Sequence, residues 1–345
     1  MILTGGEIYF LNEIDLRSQK ETGFVKIGLV REKESRDTAS RLKEHQTGNP
    51  RLLEIAKVVK TPLVERVETV LHGKFATRRV SGEWFNFSGG SVEEAISEAK
   101  SLARSAQSNI EFFEKSEALK AKKSSQVILS PSTGILKLQQ EYMRLHVQLK
   151  ACKDAVKLIQ DVLYKASDNQ INVSHLLEVQ NKKGQQRFSE KEFASKYPKL
   201  YSKYAESVKE ISQRFTWTGT KDFNPNIQSM NPELADLLKK TSALEMTASK
   251  QESAAEKLHF LYLSILTHQT PLEWKREVIE SKVKSECGSA SGIEGVCKWA
   301  RIEEEGLKLD KDALREAHPK QYQACVVESK GSTAKVLRKD RGFRA

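Results

Sequence analysis

Tyr9, Lys26, Arg41, His45, Glu68 and Asn86 are the residues of this chain whose types and order could do chemistry together. Tyr9 stands in EIYFLN, an apolar run that reads as a strand. Neighbours in a strand alternate faces, so its phenol projects opposite to Ile8 and Phe10 and can reach a groove while they pack. Arg41 and His45 are four residues apart, as are Glu68 and His72, so each pair shares one face of a helix. A carboxylate, cations and a titratable phenol or imidazole together match what phosphodiester hydrolysis needs. Those needs are an activated water, a Lewis acid on the phosphate, and positive groups for the developing charge. Each residue alone has a plainer reading. Tyr9 would be a half-buried strand tyrosine, His45 and His72 surface helix residues, and Glu68 one of many solvated glutamates. Arg41 with Glu44 would be a surface ion pair worth under about 1 kcal/mol. Only the joint pattern favours the chemical reading.

The elements that must position these residues are local in sequence. Residues 7–12 and 24–30 read as strands separated by a long polar loop, DLRSQKET, with Gly23 after it. A short helix over 36–46 and a third strand over 52–59 follow. Thr61-Pro62 reads as an N-cap and first helical position, opening a helix to about Ala76 that buries Val64, Val67, Leu71 and Phe75. GEWFNF at 82–87 closes the unit, and Ser91 with Glu94 has a capping-box spacing that starts a further helix.

Glu7-Ile8-Tyr9, Lys26-Ile27-Gly28, RLKEHQTGNP, ETVLH and GEWF occur in that order over residues 6–88. Together they resemble the GIY-YIG endonuclease superfamily, in the phage- and bacterium-associated branch whose second motif reads Lys-Ile-Gly. Glu7 stands where the glycine of the first motif would be, and Lys26 where the tyrosine of the second would be. Lysine at that place occurs in active members. The resemblance implies an α+β unit with a small three-stranded antiparallel sheet and flanking helices. It also implies Mg²⁺- or Mn²⁺-dependent hydrolysis of DNA, in a setting such as restriction, phage defence or a mobile element. Glu68 is then the metal ligand, a role suited to an ion that often takes only one or two protein carboxylates. Arg41 holds the scissile phosphate and Tyr9 is the general base. Lys26 either lowers the Tyr9 pKa or holds phosphate, His45 relays or orients, and Asn86 helps fix the ligand geometry.

The rest of the chain reads as mostly helical and basic. Residues 1–90 form the nuclease-like unit, 91–134 a helix and linker, 135–270 a helical coiled-coil region, and 271–345 a basic C-terminal part with small α+β character. Ile135, Leu138, Tyr142, Leu145, Leu149, Cys152, Val156, Ile159 and Leu163 give four heptads of seam. A second series from Leu234 to Ile265 carries Thr241 and Gln251 in its seam. The stronger seam favours a homodimer through residues 135–165, with a folded-back pair within one chain as the alternative. Residues 191–215 read as an amphipathic helix, 272–285 as another helix, and 322–328 with 334–339 as a hairpin.

With 345 residues, net charge +11 and a pI near 9.3, the chain suits a polyanionic partner, here DNA. Residues 181–221 carry ten Lys or Arg against four Glu with interleaved aromatics, and the tail carries Lys335, Arg338, Lys339, Arg341 and Arg344. Either region could touch phosphate or be a solvated face. No run approaches the ~20 apolar residues of a membrane span. The four sparse cysteines suggest a reducing, cytoplasmic setting. Cys287, Cys297, His318 and Cys325 have spacings that fit no tight zinc knuckle. Two other functions compete with the nuclease. One is a catalytically silent nucleic-acid-binding module, and the other is a coiled-coil scaffold.

Overall fold

The computed structural model describes residues 3–34 and 36–341; Arg344 of the basic tail lies outside them. The chain is mixed α+β. Its first unit runs β1 (Gly6–Asp15), β2 (Lys20–Arg31), α1 (Thr38–Thr47), β3 (Leu52–Thr61), α2 (Val64–Lys74), β4 (Arg79–Ser81), β5 (Trp84–Asn86) and α3 (Val92–Lys120). The expected three strands pair as β3-β1-β2, and two short strands extend that sheet to the order β3-β1-β2-β5-β4, all antiparallel. Both faces of β1 are covered. Ile8 and Phe10 pack with Val67, Leu71, Phe85 and Ile96 on the α2–α3 side, while Tyr9 and Leu11 pack with Leu53, Leu42 and Trp84 on the α1 side. A central strand covered twice needs apolar residues at successive positions, which EIYFLN supplies.

Two boundaries differ from the sequence reading. Half of the polar DLRSQKET is strand, and the rest is a tight turn at residues 16–19. Asp15 closes that turn by accepting from the Ser18 backbone at 2.8 Å, and Gln19 adopts a φ of 55°. Thr61 is the last residue of β3, paired with Gly6, and α2 starts at Val64 behind an uncapped Leu63. Ladder pairing competes successfully with the capping signal there.

Beyond α3 come α4 (Thr133–Asp168), β6 (Leu177–Lys182), β7 (Gln186–Phe188), α5 (Glu190–Lys196), α6 (Pro198–Tyr204), β8 (Ala205–Trp217), α7 (Ile227–Met230), α8 (Pro232–Ala248) and α9 (Glu252–Cys287). The last elements are β9 (Gly292–Ile293), β10 (Cys297–Leu309), α10 (Lys311–Ala317), α11 (Pro319–Gln323), β11 (Val326–Glu328) and β12 (Ser332–Leu337). Within the stretch 91–134, expected as a helix and linker, the part beyond α3 is pinned along residues 289–294, for example by Leu129 N–H to Gly292 O at 3.0 Å.

The seam of α4 is filled within the chain. Its C-terminal half, with Ile159 and Leu163, packs on Leu234, Leu258 and Tyr262, while Ile135 and Leu145 near its start pack with Ile279 and Val283. Thus α9 runs back along α4, and the seam residues of 135–165 are covered within the chain, as in the folded-back alternative. The polar seam residues are accommodated: Thr241 is buried with its hydroxyl donating to Leu237 O at 2.8 Å, and Gln251 sits at the α8–α9 junction as an N-cap. The separate helix expected at 272–285 is the second half of α9, which carries Pro271 inside it. That half forms the first unit's backing. Trp274 stacks on Phe113 and donates to Ser105 Oγ at 3.2 Å, and Arg66 Nε meets Glu277 at 2.6 Å.

Two further readings are corrected. Residues 191–215 are not one helix. Pro198, which lacks a donor, separates α5 from α6, and residues 205–217 form β8 in a long ladder with β10. The hairpin expected from 322–328 and 334–339 does not form. Instead, β11 pairs with β7 and β12 with β6, and the two pairs are joined where Gly184 and Gly331 let the backbones approach closely. The candidate zinc residues are divided: Cys287 and Cys297 lie in one core with Trp299, and Cys325 in another with Phe193 and Leu314. Among the described residues no helix is long and apolar enough to cross a membrane.

Because the seam is intramolecular, Leu163→Ala should cost about 2–5 kcal/mol of stability in denaturant melts. Leu145→Glu with Leu163→Glu should unfold the helical part. Recovery of a folded monomer from a parent dimer would instead restore the interchain seam.

Candidate active site

Strand β1 presents Tyr9 to α1, and in the ladder Tyr9 faces Gly28 of β2. The tyrosine ring is fully buried and lies across that glycine. A Cβ at position 28 would collide with the phenol oxygen and its carbon. The glycine of the Lys-Ile-Gly motif therefore makes room for the tyrosine of the first motif. The phenol ends 3.1 Å from His45 Nε2.

Helix α1 brings Arg41 and His45 over this face. Asp37 caps it by accepting from Ser40 N at 2.8 Å. Glu7 ties it to β1, accepting from the buried Thr38 hydroxyl at 2.8 Å. The residue that departs from the first motif thus fastens the helix that carries two site residues. Arg41 is steadied by Glu44 at 2.7 Å.

Lys26 shares the Tyr9 face, opposite Leu11 on one side and Trp84 on the other. Its ammonium is buried and bonds Glu83 Oε2 at 2.7 Å. Glu83 belongs to the GEWF motif but received no role in the sequence reading. Strand alternation could not assign it, because it sits in the β4–β5 turn, where its backbone O also accepts from Ile27 N at 3.0 Å.

Glu68 and His72 come from α2, one turn apart. His72 Nε2 donates to Ile27 O at 2.9 Å and its ring packs on Phe85. Burial pushes its pKa down to about 4, so it is a neutral positioning group. Glu68 is mostly buried, and among the described residues no hydrogen bond or ion pair reaches its carboxylate. Burial, with the nearby Glu83 charge, pushes its pKa up to about 7, against the pull of Arg31, Arg79 and Lys26. Arg79 is a second residue that the sequence reading missed; only the β4–β5 hairpin brings it near Glu68.

The other titrations follow the same logic. Burial raises the Tyr9 pKa, opposed by the Arg41 guanidinium beside it. The strongest lowering influence on the phenol is Arg41. Burial and the positive charges of Lys26 and Arg41 lower the His45 pKa, leaving a neutral imidazole at pH 7. Burial would raise Glu83, but the hydrogen bond and charge of Lys26 hold it below the usual carboxylate range.

Five of the six candidate residues thus meet through direct contact or mutual charge: Tyr9, Lys26, Arg41, His45 and Glu68. Asn86 stands apart. It faces Phe24, a full pleat repeat from Lys26, and its Oδ1 closes a turn by accepting from Ser88 N at 2.9 Å. A divalent cation fits this donor set. A half-buried carboxylate that no described residue bonds, with the Glu83 charge acting on it, is the arrangement a cation would neutralise.

Residues 6–102 match the family model of the T5orf172 domain, a GIY-YIG-like, nuclease-associated domain. No curated protein and no solved structure matches the chain.

The raised Glu68 pKa has a stability consequence. The folded value lies above the ordinary one, so this group's ionisation opposes folding. The stability present at low pH is lost as pH rises through about 7. In metal-free protein, Glu68→Gln should therefore raise the Tm at pH 8 and change it little at pH 5. An equal or lower Tm at pH 8 would mean that the carboxylate is already compensated.

Proposed function

We propose that residues 6–102 form a divalent-metal-dependent endonuclease centre that hydrolyses phosphodiester bonds in DNA. The observation that carries this reading is the Glu68 carboxylate, bonded by none of the described residues, beside the Tyr9–His45–Arg41 group. Glu68 would hold Mg²⁺ or Mn²⁺, which when bound supplies Lewis-acid polarisation of the phosphate.

The chain's own residues divide the remaining work. The Arg41 guanidinium, beside the phenol and held by Glu44, binds the phosphate and meets charge developing on its oxygens. A phenol with a raised pKa is a poor standing base, so Tyr9 acts as a relay. Its oxygen accepts the proton of the attacking water while its own proton passes to His45 Nε2, 3.1 Å away. His45 suits the accepting role because it is neutral at pH 7. Lys26 keeps Glu83 ionised at the edge of the site. The match to a nuclease-associated domain supports this reading, as do the five ordered motifs.

The test is plasmid DNA incubated with Mg²⁺, beside EDTA and Glu68→Gln controls. Cleavage should require the metal and vanish in Glu68→Gln. Arg41→Ala should slow it by about 10²-fold or more. A chain with one such centre and an internally filled seam should accumulate nicked circles before linear product. Glu68→Gln cutting at the parent's rate would remove Glu68 from the site.

A further inference from the structure

The sheet face that carries Tyr9 continues into a cleft of about 650 Å³, within the range of roughly 300–1,000 Å³ typical of ligand pockets. Its walls include the rings of Phe24 and Trp84, from adjacent strands β2 and β5. Its rim includes Glu13, Asn49 and Arg51, and His45 lies on its boundary. His45 therefore borders both the cleft and the relay, so whatever fills the cleft lies next to the group that Arg41 and Tyr9 hold.

The rim is equipped to read a flat polar edge. Asn49 Oδ1 accepts from Arg51 N at 2.9 Å, which leaves its amide N–H groups as donors. Arg51 commits one nitrogen to Glu13 at 2.5 Å, and its side chain is 45% exposed, so its fork keeps further donors facing solvent. Glu13 also accepts from Thr22 Oγ1 at 3.1 Å and keeps acceptor capacity. Aromatic planes with amide, guanidinium and carboxylate groups at their margin are the chemistry that stacks a nucleobase and bonds its edge. A base within an intact duplex is stacked on both faces and cannot enter a cleft in a protein sheet.

Resting on the nuclease reading, we propose that this cleft takes the base of one nucleotide flanking the scissile phosphate. The preferred substrate is then DNA with an unpaired nucleotide at the cut, in a single strand, a flap or a mismatch. Trp84 and Phe24 supply the stacking surface, and Asn49 with Arg51 the edge contacts.

The test uses the whole protein in EDTA with oligonucleotides in which 2-aminopurine is walked through the sequence. They are offered as single strand, mismatched duplex and fully paired duplex. Unpaired forms should bind about ten-fold or more tightly than paired duplex, and one probe register should change its emission on binding. Trp84→Leu should abolish both effects. Asn49→Ala with Arg51→Ala, confined to a surface loop, should weaken both, and should cost unpaired DNA more affinity than paired duplex. Equal binding of paired and unpaired DNA, or a preference and register that survive both variants, would overturn the proposal. Adding Mg²⁺ reads the catalytic proposal separately. Cut DNA without a base register overturns the cleft alone. A register without cleavage overturns the nuclease reading and leaves a base-binding cleft.

Discussion

The Tyr9 ring has to cross the neighbouring strand to reach His45, and only a residue without a Cβ at position 28 leaves it the path. That contact links β1, β2 and α1 in one stroke. It also fixes the helix that carries Arg41, because His45 is held at one end of α1 while the Glu7–Thr38 bond holds the other. The site is thus set by packing. The cations and carboxylates are placed around a phenol whose position the sheet decides.

The remainder of the chain supplies stiffness behind that face. α9 serves three cores, backing α2 and α3 through Trp274 in one and filling the seam of α4 along its length in the other two. The C-terminal segment returns to the first unit, where Arg341 bonds the backbone oxygens of Thr77 and Arg79. Those contacts lie beside the β4–β5 hairpin that carries Arg79 and Glu83. An intramolecular clamp of this kind holds the turn that brings the second carboxylate near Glu68. It also accounts for one of the basic tail residues without a phosphate.

What could be read in the sequence was what local periodicity decides. Strand alternation gave Tyr9 its face, and helical spacing paired Arg41 with His45 and Glu68 with His72. The readings that failed depended on distant partners. Residues 205–217 have apolar residues three or four apart, which fits a helix, yet thirteen cross-strand pairs with β10 make them a strand. The C-terminal strands chose β6 and β7, more than 130 residues away, over each other. Glu83 was visible as a motif letter, but its ion pair with Lys26 follows from the β2–β5 register, which no local pattern encodes. Asn86 shows the converse: a motif residue spent on its own turn.

The account turns on a metal at Glu68, and crystals soaked in Mn²⁺ test that point without relying on turnover. An anomalous difference map should place an ion at about 2.1 Å from a Glu68 carboxylate oxygen, with its remaining positions filled mainly by water. An ion bound elsewhere in the first unit, with Glu68 left uncoordinated, would contradict it.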